Sequence, residues 1–235
     1  MKLSDLMLKK KTRLCFSADF TKKDELFDWI ELLGPYICIL KTHIDILEDF
    51  DNSVPIKLNQ LKNKYQFLIL EDRKFSDIGK TFQRQLFNKL YKINEWADII
   101  TIHGITCHGM LQTLKNTQRK IPQVLIVSQM SSKNNIISND YTMKCYEIAK
   151  LYPDLVMGFI SQNKFVDDDR FLFLTPGVKC TVKEKIFLSL KENDQNYRKP
   201  REAIEKDKND IIIVGSGIYN NHFDINQIIT DYVFY

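Results

Sequence analysis

Residues 211–214 read Ile-Ile-Ile-Val, and residues 124–127 read Val-Leu-Ile-Val. An aliphatic, β-branched run with no polar alternation suits a strand covered on both faces, the condition of a parallel sheet. Working outward from these two, the second extended to residue 128, segments of the same kind recur at 14–18, 37–42, 67–71, 99–103, 156–160 and 171–175, which makes eight strands. Helical patterns separate them at 25–33, 82–91, 110–116, 141–151 and 200–206, and one more follows at 225–233. In the first of these, Leu26, Trp29, Ile30 and Leu33 share one face. Eight strand–helix units in 235 residues predict an α/β fold, a single (β/α)8 TIM barrel, with a doubly wound open sheet as the other arrangement of the same pattern. No linker or low-complexity tract interrupts the alternation, so residues 1–235 read as one domain with residues 1–12 as an N-terminal extension.

Composition narrows the function classes. With 44% hydrophobic and 27% charged residues and only 8 Gly and 6 Pro, the chain is neither disordered nor collagen-like. Lys and Arg number 34 against 30 Asp and Glu, and the resulting +4 falls short of the basic excess of a nucleic-acid binder. Cys15, Cys38, Cys107, Cys145 and Cys180 are odd in number and form no CxxC pair, as expected of reduced thiols rather than a disulfide frame or zinc site. No stretch approaches the ~18 apolar residues of a membrane span, and the N-terminus lacks the apolar core of a signal peptide. A cytoplasmic protein without a nucleic-acid or membrane partner is expected. The basic run Lys9-Lys10-Lys11 with Arg13 reads as solvated surface.

Chemistry in such a barrel belongs where strands end and loops begin. The first strand, LCFSAD, runs into Asp19; the second, YICILKTHID, carries Lys41 and His43; the third, FLILEDRKFSDIG, carries Asp72, Lys74 and Asp77. If the third strand stays extended, Asp72 and Lys74 both point to the barrel mouth and Arg73 to the helices. Lys41 and Asp19 then complete an array in which each cation faces an anion, so that all four groups stay charged. An ion-pair plug that merely fills the barrel is the plain alternative. His103, Cys107 and His108 match no ligand spacing, and no metal is expected. Gly177 in TPGV and Gly215 and Gly217 in VGSG follow strands seven and eight, where barrel phosphate sites form from backbone N–H groups. Between them, residues 180–198 are long, charged and poorly periodic, a candidate phosphate lid.

The motifs LCFSAD, LGPYICILKTHIDIL, FLILEDRKFSDIGKT, WADIITIHG, MSS, VMGFIS, LTPGV and DIIIVGSGI occur in that order. Together they resemble the orotidine 5′-phosphate decarboxylase family, in its animal and fungal branch, from about residue 14 to residue 218. A bare DxKxxD is also shared with a sugar-phosphate decarboxylase group; DRKFSDIG with KTHIDIL upstream is far more specific. The resemblance implies cofactor-free conversion of orotidine 5′-phosphate to uridine 5′-phosphate, the last step of pyrimidine nucleotide synthesis, by a stand-alone enzyme. It implies that Lys74 delivers a proton to C6 of the pyrimidine within an array of Lys41, Asp72 and Asp77. Asp77 and Thr81 would come from the second subunit of a homodimer, with Ile78 between them. Ser17 and Asp19 would lie near the ribose, and Lys41, Thr42 and His43 in the substrate-binding stretch with Asp72. Ser131 would meet the pyrimidine edge. Pro176, Gly215, Ser216 and Gly217 would face the phosphate, with Gln195 and Tyr197 closing from the lid.

One position departs from the family's pattern. The last phosphate motif usually reads VGRG, and here its arginine is replaced by Ser216. A charge-assisted contact is worth about 1.5–3 kcal/mol, so its loss would cost roughly 10–150-fold unless another group substitutes. Arg198, Lys199 and Arg201 are the nearby cations in sequence. Two further readings follow: a nucleotide-binding homologue with weak or no turnover, resting on Ser216, and an aldolase or isomerase using Lys41 or Lys74 as a Schiff-base amine.

Overall fold

A computed structural model describes residues 3–180, 195–220 and 224–233. Eight parallel strands close into a barrel in sequence order: β1 (Leu14–Ser17), β2 (Ile39–Thr42), β3 (Leu68–Phe75), β4 (Ile99–His103), β5 (Gln123–Val127), β6 (Val156–Ile160), β7 (Leu172–Thr175) and β8 (Ile211–Val214). Closure is direct: Leu14 pairs with Ile212, Cys15 with Ile213 and Phe16 with Val214, which rules out the open sheet. The central strands are buried along most of their length, as the unbroken aliphatic runs predicted.

Side chains alternate between two apolar layers. Cys15, Ile39, Leu70, Ile99, Leu125, Leu174, Ile211 and Ile213 fill the barrel interior. Phe16, Leu40, Ile69, Ile100, Ile126, Phe173, Ile212 and Val214 face the surrounding helices. This period of two carries the interior register to the mouth. Two residues past Cys15 stands Ser17, two past Ile39 stands Lys41, and two past Leu70 stands Asp72. The inward file therefore changes from apolar to polar within a single step along each of the three strands, and to a charged residue on β2 and β3.

The helices expected at 25–33, 110–116, 141–151 and 225–233 form at Lys23–Leu33, Cys107–Lys115, Asn139–Lys150 and Ile225–Tyr232. The one expected at 82–91 is shorter and earlier, Gly79–Leu86. The N-terminal extension folds as well: Leu3–Lys10 is a helix whose Leu3 packs with the interior residues at the bottom of the barrel. Lys10 consequently departs from the solvated reading of the basic run. Its ammonium donates to the carbonyls of Gly34 (2.7 Å), Ile37 (2.6 Å) and Tyr65 (2.9 Å), and burial lowers its pKa to about 8. The five cysteines are free. Among the described residues no helix is long and apolar enough to cross a membrane.

Candidate active site

A cavity of about 410 Å3 opens at the C-terminal ends of the strands. Strands β1 to β3 bring Ser17, Asp19, Lys41, His43, Asp72 and Lys74 to one end, and the loops after β7 and β8 wall the other with Pro176, Gly177, Gly215, Ser216 and Gly217 beside Gln195 and Tyr197; the two meet where Gly215 adjoins Ser17 and Asp19. Ser131, Gln129 and Met130 of the loop after β5 also line it.

Asp72 is the hub of the charged end. Its Oδ2 lies 3.0 Å from the Lys41 ammonium and 2.6 Å from that of Lys74, while Oδ1 accepts from the Thr101 hydroxyl at 2.7 Å. Burial alone would raise the Asp72 pKa, but Lys41 and Lys74 outweigh it and hold the carboxyl well below its ordinary range. Burial would likewise lower the Lys41 pKa; Asp72 and Asp19, the latter at 3.4 Å, reverse that and keep the ammonium charged. Asp19 is steadied in turn by the Ser17 hydroxyl at 2.8 Å. A firmly protonated, ion-paired Lys41 is ill suited to Schiff-base chemistry, which needs a free amine.

His43 completes the coordination of Lys41. Burial and the adjacent ammonium lower its pKa to about 4, so the ring is neutral near pH 7. Its Nε2 lies 2.7 Å from Lys41 Nζ, and a neutral ring accepting there carries its proton on Nδ1. Lys41 thus has an acceptor for each N–H: Asp72, Asp19 and His43.

Lys74 reaches Asp72 by a different route from the extended strand expected. The register of β3 against β4 slips between Glu71 and Phe75, and Lys74 adopts φ +49°. This left-handed conformation is uncommon for a side-chain-bearing residue and marks strain at the point where the ammonium enters the cavity. The Lys74 N–H donates to Thr101 Oγ1 at 2.9 Å, so one threonine holds both the kinked backbone and Asp72. Arg73 is exposed and pairs with Asp45 at 3.3 Å.

Four of the expected contact residues lie elsewhere. Thr42 follows the inward Lys41 and so faces the helix layer, where its hydroxyl donates to Glu71 Oε2 at 2.7 Å. Asp77, Ile78 and Thr81 lie outside the cavity lining of their own chain. The Asp77 carboxylate accepts from the Ile78 N–H at 2.7 Å, and the Ile78 side chain is 66% exposed. Glu71 is a fully buried carboxyl that sequence reading passed over, although it directly precedes Asp72. It also accepts from the Ile44 N–H at 3.1 Å, and burial pushes its pKa up to about 8 against those hydrogen bonds. Thr101, a polar residue on the inward register between Ile99 and His103, was the signal available for β4.

At the other end, Gly177 has φ +75°, and a Cβ there would collide with the Asn196 carbonyl. Gln195 donates to Ser131 Oγ at 2.7 Å and Asn196 N–H to the Ser131 carbonyl at 2.8 Å, tying the end of the 180–198 segment to the loop after β5. The rest of that candidate lid, residues 181–194, lies outside the described residues. Among the described residues no three His, Cys, Asp or Glu side chains are grouped as ligands for a metal ion.

Comparison with known proteins gives a consistent family. The family model described as orotidine 5′-phosphate decarboxylase / HUMPS matches residues 12–228. A protein of Rhizopus oryzae named orotidine 5′-phosphate decarboxylase is 41% identical over 220 residues, covering 92% of this chain and 81% of the relative. One of the same name from Schizosaccharomyces pombe is 38% identical over 216 residues, covering 91% and 80%. Among solved structures, the orotidine 5′-phosphate decarboxylase of Pyrococcus horikoshii superposes with a TM-score of 0.66 at 20% identity, over 93% of this chain and 97% of that one. The Methanocaldococcus jannaschii enzyme complexed with the inhibitor BMP gives 0.63 at 19%, over 90% and 92%. The solved structures support the barrel; the sequence matches, which run nearly end to end, establish that the chain belongs to the orotidine 5′-phosphate decarboxylase / HUMPS family.

Proposed function

We propose that this chain decarboxylates orotidine 5′-phosphate to uridine 5′-phosphate, without a cofactor, and that it acts in the cytoplasm as a homodimer. The observation that carries the reading is Asp72 held between two ammonium groups inside the cavity, 3.0 Å from Lys41 and 2.6 Å from Lys74. Breaking the bond from C6 to the carboxylate leaves its electron pair on C6, in the ring plane, where no adjacent π system accepts it. A fixed ammonium stabilises that charge and then supplies the proton. Lys74 fits this role: its side chain is 30% exposed, accessible from the cavity, whereas Lys41 is enclosed by three acceptors. CO2 leaves, C6 gains the proton, and the neutral Lys74 amine is reprotonated from solvent. Lys41, Asp72 and His43 hold the array through these changes.

The phosphate is assigned to the glycine-lined end, with Gln195 and Tyr197 closing on it, so that binding far from C6 helps assemble the reactive end. The dimer is supported by the DRKFSDIG turn. Asp77 and Thr81 belong to the motif yet stay out of their own cavity, and the exposed apolar Ile78 beside them suits a subunit contact. The test is loss of orotidine 5′-phosphate absorbance with and without a chelator. Turnover insensitive to chelator is expected; no turnover would refute the reading, and chelator sensitivity would place the chain with metal-using sugar-phosphate decarboxylases.

A further inference from the structure

The two ends of the cavity differ in charge. Lys41 and Lys74 are committed to Asp72 and Asp19, while Pro176, Gly177, Tyr197, Gly215, Ser216 and Gly217 bring no cation to the other end. A phosphate monoester carries about −1.5 to −2 near neutral pH. Backbone N–H groups meet part of that demand, but a water-poor pocket favours a full counter-charge.

The arginines suggested by sequence are occupied. The Arg198 guanidinium pairs with Asp207 at 2.5 Å and also donates to Thr175 and to the Gln162 carbonyl. Arg201 projects to the surface and pairs with Glu205 at 2.8 Å. Lys199 is exposed.

Lys179 differs from all three. It sits two residues past Gly177, its N–H donating to the Arg198 carbonyl at 2.9 Å. Its stem passes behind the loop after β8, where a Cβ on Gly217 would lie 3.2 Å from Lys179 Cγ. Its ammonium lies over the Tyr197 ring, 5.2 Å from the centroid. Gly217 and Tyr197 both line the glycine-rich end, so the charge rests one layer behind that wall. Lys179 is only 8% exposed, and among the described residues its ammonium has neither an ion pair nor a hydrogen bond. Burial lowers its pKa, with no carboxylate to oppose it. A buried cation whose partner among the described residues is a ring face is costly to keep unless a ligand uses it.

We propose that Lys179 is the phosphate-binding cation of this chain, its ammonium moving on a flexible stem from the face of Tyr197 to the phosphate monoester held at the Gly215–Gly217 loop. Gly217 leaves room for the stem, and Ser216 leaves the phosphate end without a competing charge. The proposal rests on the nucleotide reading of the cavity.

The test is calorimetric binding of uridine 5′-phosphate and of uridine to the full chain and to Lys179→Met. The variant is expected to lose about 10–100-fold in affinity for uridine 5′-phosphate, the range of one charge-assisted contact, with uridine affinity unchanged. Lys179→Arg should retain most of the affinity, and Ser216→Arg on the Lys179→Met background should restore most of it. Retained affinity in Lys179→Met, or an equal loss for both ligands, would overturn the proposal. Lys179→Gln serves if the methionine variant does not fold; failure of both to fold would make the lysine structural and also overturn it. If the unmodified chain neither binds uridine 5′-phosphate nor turns over substrate, the nucleotide reading itself fails, an outcome distinct from an active chain indifferent to Lys179.

Discussion

Lys74, the proposed proton donor, sits on a backbone conformation that lysine disfavours, so its replacement should separate stability from activity. Its φ of +49° costs a side-chain-bearing residue about 1–2 kcal/mol relative to right-handed geometry, a penalty glycine escapes. Glycine's larger freedom in the unfolded chain takes back about 0.4–1 kcal/mol. Lys74→Gly should therefore be more stable than Lys74→Ala by about 0.5–1 kcal/mol, or roughly 1–4 °C in Tm for a chain of this size. Both variants lose the pair with Asp72, but Lys74 is 30% exposed and Asp72 keeps Lys41 and Thr101, so that loss is about 1 kcal/mol or less. Activity should respond quite differently. A positioned acid supplies about 10²–10⁴ and a fixed charge at the developing carbanion about 10²–10³, so kcat/KM should fall by at least about 10⁴ in both variants. Thermal unfolding and initial rates of orotidine 5′-phosphate loss measure the two effects. Alanine matching or exceeding glycine in Tm would refute the strain argument. Turnover within tenfold of the parent would refute Lys74 as the proton donor.

Asp72→Asn should be costly to fold and function together: it leaves two ammonium groups around a neutral amide, a loss of about 3–5 kcal/mol and on the order of 10 °C in Tm, with kcat/KM reduced at least about 10³-fold. An unchanged Tm would contradict this. Glu71 gives a pH test. Its pKa is raised to about 8 in the fold from an ordinary 4.5, so its stabilising contribution is full below 4.5 and is lost as pH rises through 8. Glu71→Gln keeps an acceptor for Thr42 and Ile44 without ionising, and its Tm should fall less than the parent's between pH 5 and 8; parallel curves would show Glu71 ionised in the folded chain. His43 acts in the opposite sense, losing stability as pH falls from 6.5 towards about 4, but equally in both proteins. Mixing Lys74→Ala with Asp77→Ala should regenerate about a quarter of the parent activity, because half the dimers are hybrids and each holds one intact site; no recovery would refute a site shared between subunits.

The barrel was legible because parallel strands buried on both faces write themselves as aliphatic runs, and period two then places Ser17, Lys41 and Asp72 on the inward file. The same rule put Thr42 on the outer face, where it meets Glu71, even though the resemblance grouped it with its neighbours. What sequence did not reveal depends on conformation or distant packing. Alternation assumes an extended β3, and nothing in EDRKF announces the register slip that turns Lys74 to φ +49°. Lys10 and Lys179 look like any surface lysines. Their burial is set by helix ends and loops far away in the chain, carbonyls in one case and Tyr197 with Gly217 in the other.

The charges of the site form a single argument. Lys41 and Lys74 balance Asp19 and Asp72, and His43 is neutral, so the array carries no net charge to attract an anion. The proposed substrate brings a carboxylate to that end and a phosphate to the other, and a shared Asp77 would add one more negative charge beside the carboxylate. Attraction then falls to the phosphate end, where the proposed cation adds to what backbone N–H groups supply. Departure of CO2 then removes the anion for which the array has no spare counter-charge, while Lys74 meets the carbanion that takes its place. A site arranged in this way binds at one end and reacts at the other, and neutralising Lys179 should weaken the grip on uridine 5′-phosphate while leaving the Lys74–Asp72 pair in place.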